Sequence, residues 1–258
     1  PVRAPLVSRP VRLGAVGYLN AQPLVAGLAE RPDAVSLRFD VPSVCARLLD
    51  AGDIDLGMVP SITYLDRPGD RVVPDVCIGS EGDVASVALF TRVPVGDIRR
   101  VALDTSSRTS AVLTRILFAR RFGVAPDFMP HAPDLPAMLA VADAALLIGD
   151  PALFADTRAQ GMPKIDKIDL GAEWTAMTGL PFVWAFWAGR PGAAGPDVVA
   201  ILQAAARHGV ARSDALADAF FAGDPIRQSV GRRYLREHLQ YNFTARMLEG
   251  LRRYYAEA

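Results

Sequence analysis

Short apolar runs alternate along the chain with stretches whose apolar residues recur every three or four positions. VRLGAV (11–16), VSLRFD (35–40) and IDLGMV (54–59) read as strands, and helices open between them at Pro23 and Ser43. The second helix carries its own punctuation. Pro42 and Ser43 open it, Val44 with Leu48 and Cys45 with Leu49 form an i, i+4 stripe, and Gly52 closes it. After SVALFTR (86–92) comes the break VPVGD, and the alternation restarts with RRVALD (99–104), a helix near 108–122, FMP (128–130), a short helix and AALLIGD (144–150). PFVWAFWAGRP (181–191) reads as a strand that returns the chain, and everything beyond Gly195 looks helical.

Strand and helix alternation implies α/β architecture with mainly parallel, mixed sheets flanked by helices, and two successive units imply two lobes. The pattern predicts a discontinuous first lobe, residues 1–92 plus 188–258, around an inserted second lobe, residues 93–187. Two crossovers between lobes make a hinge and place a ligand cleft between them.

Charge removes several classes of function. With 28 basic and 28 acidic residues the chain has no net field, which argues against nucleic acid or an anionic membrane as partner. Any anion must be caught locally. Cys45 and Cys77 lie in apolar surroundings without a CxxC motif, and His131, His208 and His238 stand apart, so no metal site is expected. No GxGxxG behind a strand, Walker loop, GxSxG elbow or HExxH occurs, and no cofactor is implied. The opening PVRAPLVSRP lacks an uninterrupted apolar run ending at a cleavage site, and nowhere do 18 apolar residues run together. The expectation is a soluble, cytoplasmic protein.

The candidate chemistry sits where strands hand over to helices. VALDTSSRTS places Thr105, Ser106, Ser107, Thr109 and Ser110 at a helix start. Hydroxyls together with free amide N–H groups there form a carboxylate or phosphate cradle that needs no formal positive charge. Capping alone uses one of these residues and leaves four unexplained. Asp150 and Pro151 have the form of an N-cap followed by a first-turn proline. Ser61 and Ser86 stand beside strand ends, as caps or ligand donors, and Thr178 and Gly179 precede the aromatic strand. Tyr18 and Asn20 occupy a strand-to-helix turn, where Asn20 is too early for a simple cap but suits an Asx turn or a ligand contact.

As an ordered set, GAVGYLNAQPL (14–24), DIDLGMVPSITYL (53–65), SSRTS (106–110), ALLIGDPAL (145–153), DLGAEWTAMTGLPFVWAFW (169–187) and the Tyr-rich C-terminus resemble the chorismate dehydratase family of the futalosine route to menaquinone. The resemblance runs from about residue 10 to 256. It implies a fold similar to type II periplasmic binding proteins, with chorismate, a small dicarboxylate, held in the interlobe cleft. The sister dihydroxynaphthoate synthase carries a Ser-Pro-Cys-Pro-Asn-Asp-like motif and a His-Glu pair where this chain has Gly17-Tyr18-Leu19-Asn20 and Gly149-Asp150, which favours the dehydratase. The roles implied are Thr109, Ser110 and nearby N–H groups on one carboxylate, Ser61 and Ser86 on the other, and Asn20 near the departing hydroxyl. Tyr18, Thr105, Ser107, Thr178 and Gly179 complete the implied substrate contacts. The base is open between Asp150 and the substrate's own enolpyruvyl carboxylate. A non-catalytic carboxylate-binding protein is the rival from another class, and a sensor domain ranks last because no basic helix-turn-helix is visible.

Overall fold

The computed structural model describes residues 9–155 and 164–258; the opening residues read above for a leader segment, 1–8, lie outside that range. In chain order the first elements are β1 (Val11–Val16), α1 (Gln22–Val25), β2 (Val35–Asp40), α2 (Pro42–Ala51), β3 (Leu56–Pro60), α3 (Thr63–Asp66) and β4 (Arg71–Ser80). Then follow β5 (Val87–Thr91), β6 (Arg100–Asp104), α4 (Arg108–Leu117), β7 (Asp127–His131), α5 (Leu135–Val141), β8 (Ala144–Ile148), α6 (Gly149–Leu153), β9 (Asp166–Asp169) and α7 (Leu170–Thr178). The chain returns through β10 (Phe182–Gly189) and ends in α8 (Pro196–Ala211), α9 (Ser213–Phe220), α10 (Pro225–Arg233), a π turn at Tyr234–His238 and α11 (Ala245–Glu257).

Two five-stranded sheets result, in the orders β2-β1-β3-β10-β4 and β7-β6-β8-β5-β9. In the first, β1 runs parallel to β2 and β3 while β10 is antiparallel to β3 and β4. In the second, β6 runs parallel to β7 and β8 while β5 is antiparallel to β8 and β9. Each sheet thus receives one antiparallel strand from the segment that changes lobes. The α/β, two-lobed architecture expected from the pattern is present, with the crossovers displaced. β5 pairs in the second sheet and β10 in the first, so the switches lie near 81–86 and 179–181 rather than at 92/93 and 187/188. The Pro/Gly break after β5 is a turn within the second lobe.

Local sequence accounts for the helices that matter to the cleft. Val41 is extended, Pro42 begins α2 and Gly52 closes it in the left-handed region, its N–H reaching back to Leu48 and Leu49. Ser107 caps α4 by accepting the Ser110 N–H at 3.2 Å. The stretch expected as one helix to residue 122 changes at Phe118 into a π turn, Phe118–Phe122, ended by Gly123. Trp174, Phe182, Phe186 and Trp187 are fully buried, and Phe182 packs against Trp174 of α7 and Tyr254 of α11. Arg12 ties β1 to the start of β3 through Asp55, whose carboxyl the guanidinium holds down to about 2. No helix among the described residues is long and apolar enough to cross a membrane.

Candidate active site

A cavity opens between the lobes, walled by the turn after β1, the end of β3, the second crossover strand and the N-terminus of α4. Tyr18, Asn20, Ser86, Ser107, Thr109 and Ser110 face it beside the apolar wall of Ile78, Val84, Ile148 and Trp184. Six of the expected site residues, Asn20 and five of the expected substrate contacts, therefore meet in one place. None of the lining residues is Asp, Glu, His, Lys or Arg. The charge available to a ligand is that of hydroxyl and amide dipoles, supplemented by the free N–H groups of α4.

Each polar wall group is held from behind. Asp104, buried at the end of β6, accepts the Ser106 N–H at 2.8 Å, the Ser106 hydroxyl at 2.6 Å and the Ile148 N–H at 3.3 Å. That carboxylate sets the turn from which α4 starts. Within it the Ser107 hydroxyl donates to Ser110 Oγ at 2.9 Å, which leaves the Ser110 proton without an acceptor among the described residues. Asp169 gathers four N–H groups, from Val84, Ala85, Gly171 and Ala172, at 2.6 to 3.0 Å. It thereby caps α7 and pins the crossover at Ala85, whose φ of 63° a non-glycine residue seldom adopts. Ser86 follows directly and is aimed into the cavity.

Four tyrosines of the C-terminal segment contribute the remaining supports. Tyr234 donates to Ser86 Oγ at 2.6 Å, Tyr241 to the Asn20 carbonyl at 3.0 Å, Tyr254 to the Thr109 carbonyl at 2.9 Å and Tyr255 to the Ser61 carbonyl at 2.6 Å. Burial raises the pKa of all four, so each stays a neutral donor. The Tyr-rich ending is visible in the sequence; its targets are not.

The lobes touch around the cavity. Leu19 N–H donates to both Asp150 oxygens at 3.2 and 3.3 Å, Ser43 N–H to the Ser106 carbonyl at 3.3 Å, and Ile62 N–H to Thr109 Oγ1 at 3.3 Å. Gly149 lies against the Tyr18 ring with φ at +67°, and a Cβ there would stand 2.8 Å from the ring. Glycine is required on both counts.

Five expected positions fall elsewhere. Thr105 is exposed within the turn after β6. Thr178 and Gly179 end α7, the hydroxyl donating to the Trp174 carbonyl at 2.8 Å and the glycine taking the left-handed cap, so their residue types are explained by helix termination. Ser61 is fully buried behind the cavity wall, donating to the Val183 carbonyl at 2.8 Å and lying 3.4 Å from Thr109 Oγ1. Asp150 lines a separate outer crevice with Phe154, Phe221 and Arg227. Burial pushes its carboxyl up to about 6 against the opposing pull of the Leu19 N–H and Arg227. Asp150 holds the lobes together from outside the cavity, a position that does not serve a base acting inside it.

Among the described residues no group of three or more His, Cys, Asp and Glu stands where it could hold a metal ion. Cys45 and Cys77 are buried thiols, each pushed up to about 12 by burial.

Comparison with known proteins agrees with this architecture. A family described as menaquinone biosynthesis matches residues 11–258. The chain is 32% identical over 225 residues to the chorismate dehydratase of Thermus thermophilus, covering 82% of each chain. Among solved structures, a protein of Archaeoglobus fulgidus superposes with a TM-score of 0.73 at 16% identity, over 97% of both chains. The periplasmic aliphatic sulphonate binding protein SsuA of Escherichia coli superposes with a TM-score of 0.62 at 17% identity, over 96% of this chain and 91% of its own. At those identities the structures speak for the fold alone, that of the periplasmic binding proteins.

Proposed function

The chain belongs to the chorismate dehydratase family of menaquinone biosynthesis, and from that premise we propose that it converts chorismate to 3-[(1-carboxyvinyl)oxy]benzoate and water in the cytoplasm, the first step of the futalosine route. The observation that carries the reading is the interlobe cavity itself, rich in neutral donors, free of charged side chains among its described lining and holding one orphaned acceptor, Asn20 Oδ1, which is buried without a partner among the described residues. An unpartnered buried amide oxygen costs about 1–3 kcal/mol unless a ligand satisfies it. A substrate hydroxyl supplies that donor.

The chemistry suits such a cavity. The ring proton to be lost is vinylogous to the ring carboxylate, so its removal spreads charge into that carboxylate. Expulsion of the neighbouring hydroxyl then makes the ring aromatic. The ring carboxylate sits on the Thr109, Ser110 and α4 N–H donors, which stabilise the growing charge. Ser86 donates to the second carboxylate, and Ser61 serves by holding Thr109. Asn20 accepts from the hydroxyl that leaves and orients it. Tyr18 covers the cleft mouth against Gly149.

Because no side chain in the cavity is a base at neutral pH, the enolpyruvyl carboxylate takes the ring proton and the departing oxygen carries it away as water. Atoms balance as chorismate to product plus one water. Holding the substrate's own carboxylate over its ring proton exploits an effective molarity that no external base matches. The test is to incubate purified protein with chorismate and follow products by chromatography with mass detection, beside an Asn20→Ala variant and a protein-free control. Loss of one water to an aromatic product, reduced at least 100-fold in the variant, supports the reading. Tight chorismate binding with no conversion replaces it with that of a binding protein.

A further inference from the structure

Tyr234 is the one tyrosine of the C-terminal set that meets a cavity side chain rather than a backbone carbonyl. It begins the π turn after α10, is 1% exposed, and comes from 148 residues beyond Ser86, its hydrogen-bond partner at 2.6 Å. π turns interrupt helices mainly where a side chain must be placed for a purpose. Its phenol has one proton and donates it to Ser86 Oγ. Ser86 must then direct its own proton elsewhere, and among the described residues its hydroxyl meets no acceptor. The remaining direction is the cavity that Ser86 lines.

Asn20 lines the same cavity, its Oδ1 buried without a partner among the described residues. Tyr241 fixes the same residue through its backbone carbonyl.

We propose that Tyr234 is a positioning residue that sets the hydrogen-bond polarity of Ser86, making it an obligatory donor toward a substrate carboxylate. The assignment of that substrate group rests on the dehydratase reading above. The polarity itself rests on the chain Tyr234 O–H to Ser86 oxygen, Ser86 O–H to cavity. Without the phenol Ser86 regains a second orientation, and a bound anion competes with a misdirected hydroxyl oxygen lone pair.

Tyr234→Phe keeps the ring and removes only the hydroxyl. Turnover of chorismate and its binding by calorimetry are measured for wild type, Tyr234→Phe, Ser86→Ala and the double variant, with a thermal melt of each. The expected result is a loss of 10- to 100-fold in kcat/KM and about tenfold in chorismate affinity for Tyr234→Phe. The loss shrinks at least threefold when Ser86 is already alanine, because the phenol acts partly through that hydroxyl. A merely structural role lowers the melting temperature and the active fraction while leaving KM and the coupling unchanged, and that pattern overturns the proposal. So does wild-type kinetics in Tyr234→Phe. If wild type binds chorismate without converting it, the dehydratase reading fails alone, and a weakened, Ser86-coupled affinity in Tyr234→Phe still upholds the positioning role. Neither binding nor conversion by wild type overturns both.

Discussion

Replacing Asp150 by asparagine separates two roles that a carboxylate near a cleft can play. The side chain accepts the Leu19 N–H across the lobe boundary and lines the outer crevice, and burial raises its carboxyl from 3.8 to about 6. The folded protein therefore holds this proton more tightly than the unfolded chain. Its stabilising contribution is full below the unfolded value near 4, declines as pH rises through 6, and is absent above it. The rise amounts to about 3 kcal/mol at roughly 1.4 kcal/mol per unit, reduced toward 1–2 kcal/mol by solvent at the rim of the crevice.

Asparagine presents the same acceptor to Leu19 and never ionises. Urea unfolding at closely spaced pH values should show wild type and Asp150→Asn converging near pH 4 and separating as pH rises through 6, with the variant more stable above it by about 1–2 kcal/mol. Turnover at pH 8 should stay within about threefold of wild type, whereas removing a general base costs about 100- to 10,000-fold. Parallel stability curves at every pH refute the burial argument. A 100-fold loss of turnover in a fully folded variant refutes the placement of Asp150 outside the chemistry.

Other perturbations probe the supports of the cleft. Gly149→Ala forces a left-handed φ on alanine and drives a methyl group into the Tyr18 ring; it should cost about 1–3 kcal/mol in urea unfolding and lower kcat/KM more than tenfold. Unchanged values would mean that the lobes meet differently around Tyr18. Asp169→Ala strands four N–H groups at the crossover and should cost about 2–4 kcal/mol in the same assay, with Asp169→Asn recovering part of it. A loss under about 0.5 kcal/mol would show that water replaces the carboxylate at no cost.

The alternation of strands and helices was legible because most of these elements have one buried stripe or a continuous apolar run. β4 and β9 escaped it, and both are edge strands. Edge position lets β4 keep Pro74 and a left-handed Asp75, and lets β9 be the polar DKID. The lobe assignment of β5 and of the start of β10 was illegible for another reason. A strand buried on both faces carries no pattern that names its neighbours, so VALFT fits either sheet, and only the antiparallel register with β8 and β9 decides. Thr178 and Gly179 misled because a left-handed helix end and a ligand turn draw on the same residues.

The cleft divides in the same way. Tyr18, Asn20 and the Ser107 to Ser110 start of α4 are local features of strand-to-helix turns, and the chain announces them where they occur. What makes them a site comes from far away in sequence. The phenols of Tyr234, Tyr241, Tyr254 and Tyr255 reach Ser86, Asn20, Thr109 and Ser61 across 145 to 221 residues. On the dehydratase reading, a neutral phenol suits that task because it fixes an acceptor or a hydroxyl without adding charge to a cavity that must hold a dianion and release an uncharged water. Lysine or arginine in those places would bind the dianion tightly before and after reaction alike, which lowers KM without raising kcat. Donors that are weak singly but rigidly aimed favour the state in which charge has moved into the ring carboxylate. On the dehydratase reading the C-terminal segment is accordingly part of the active site, with Tyr234 alone among these phenols meeting a cavity side chain.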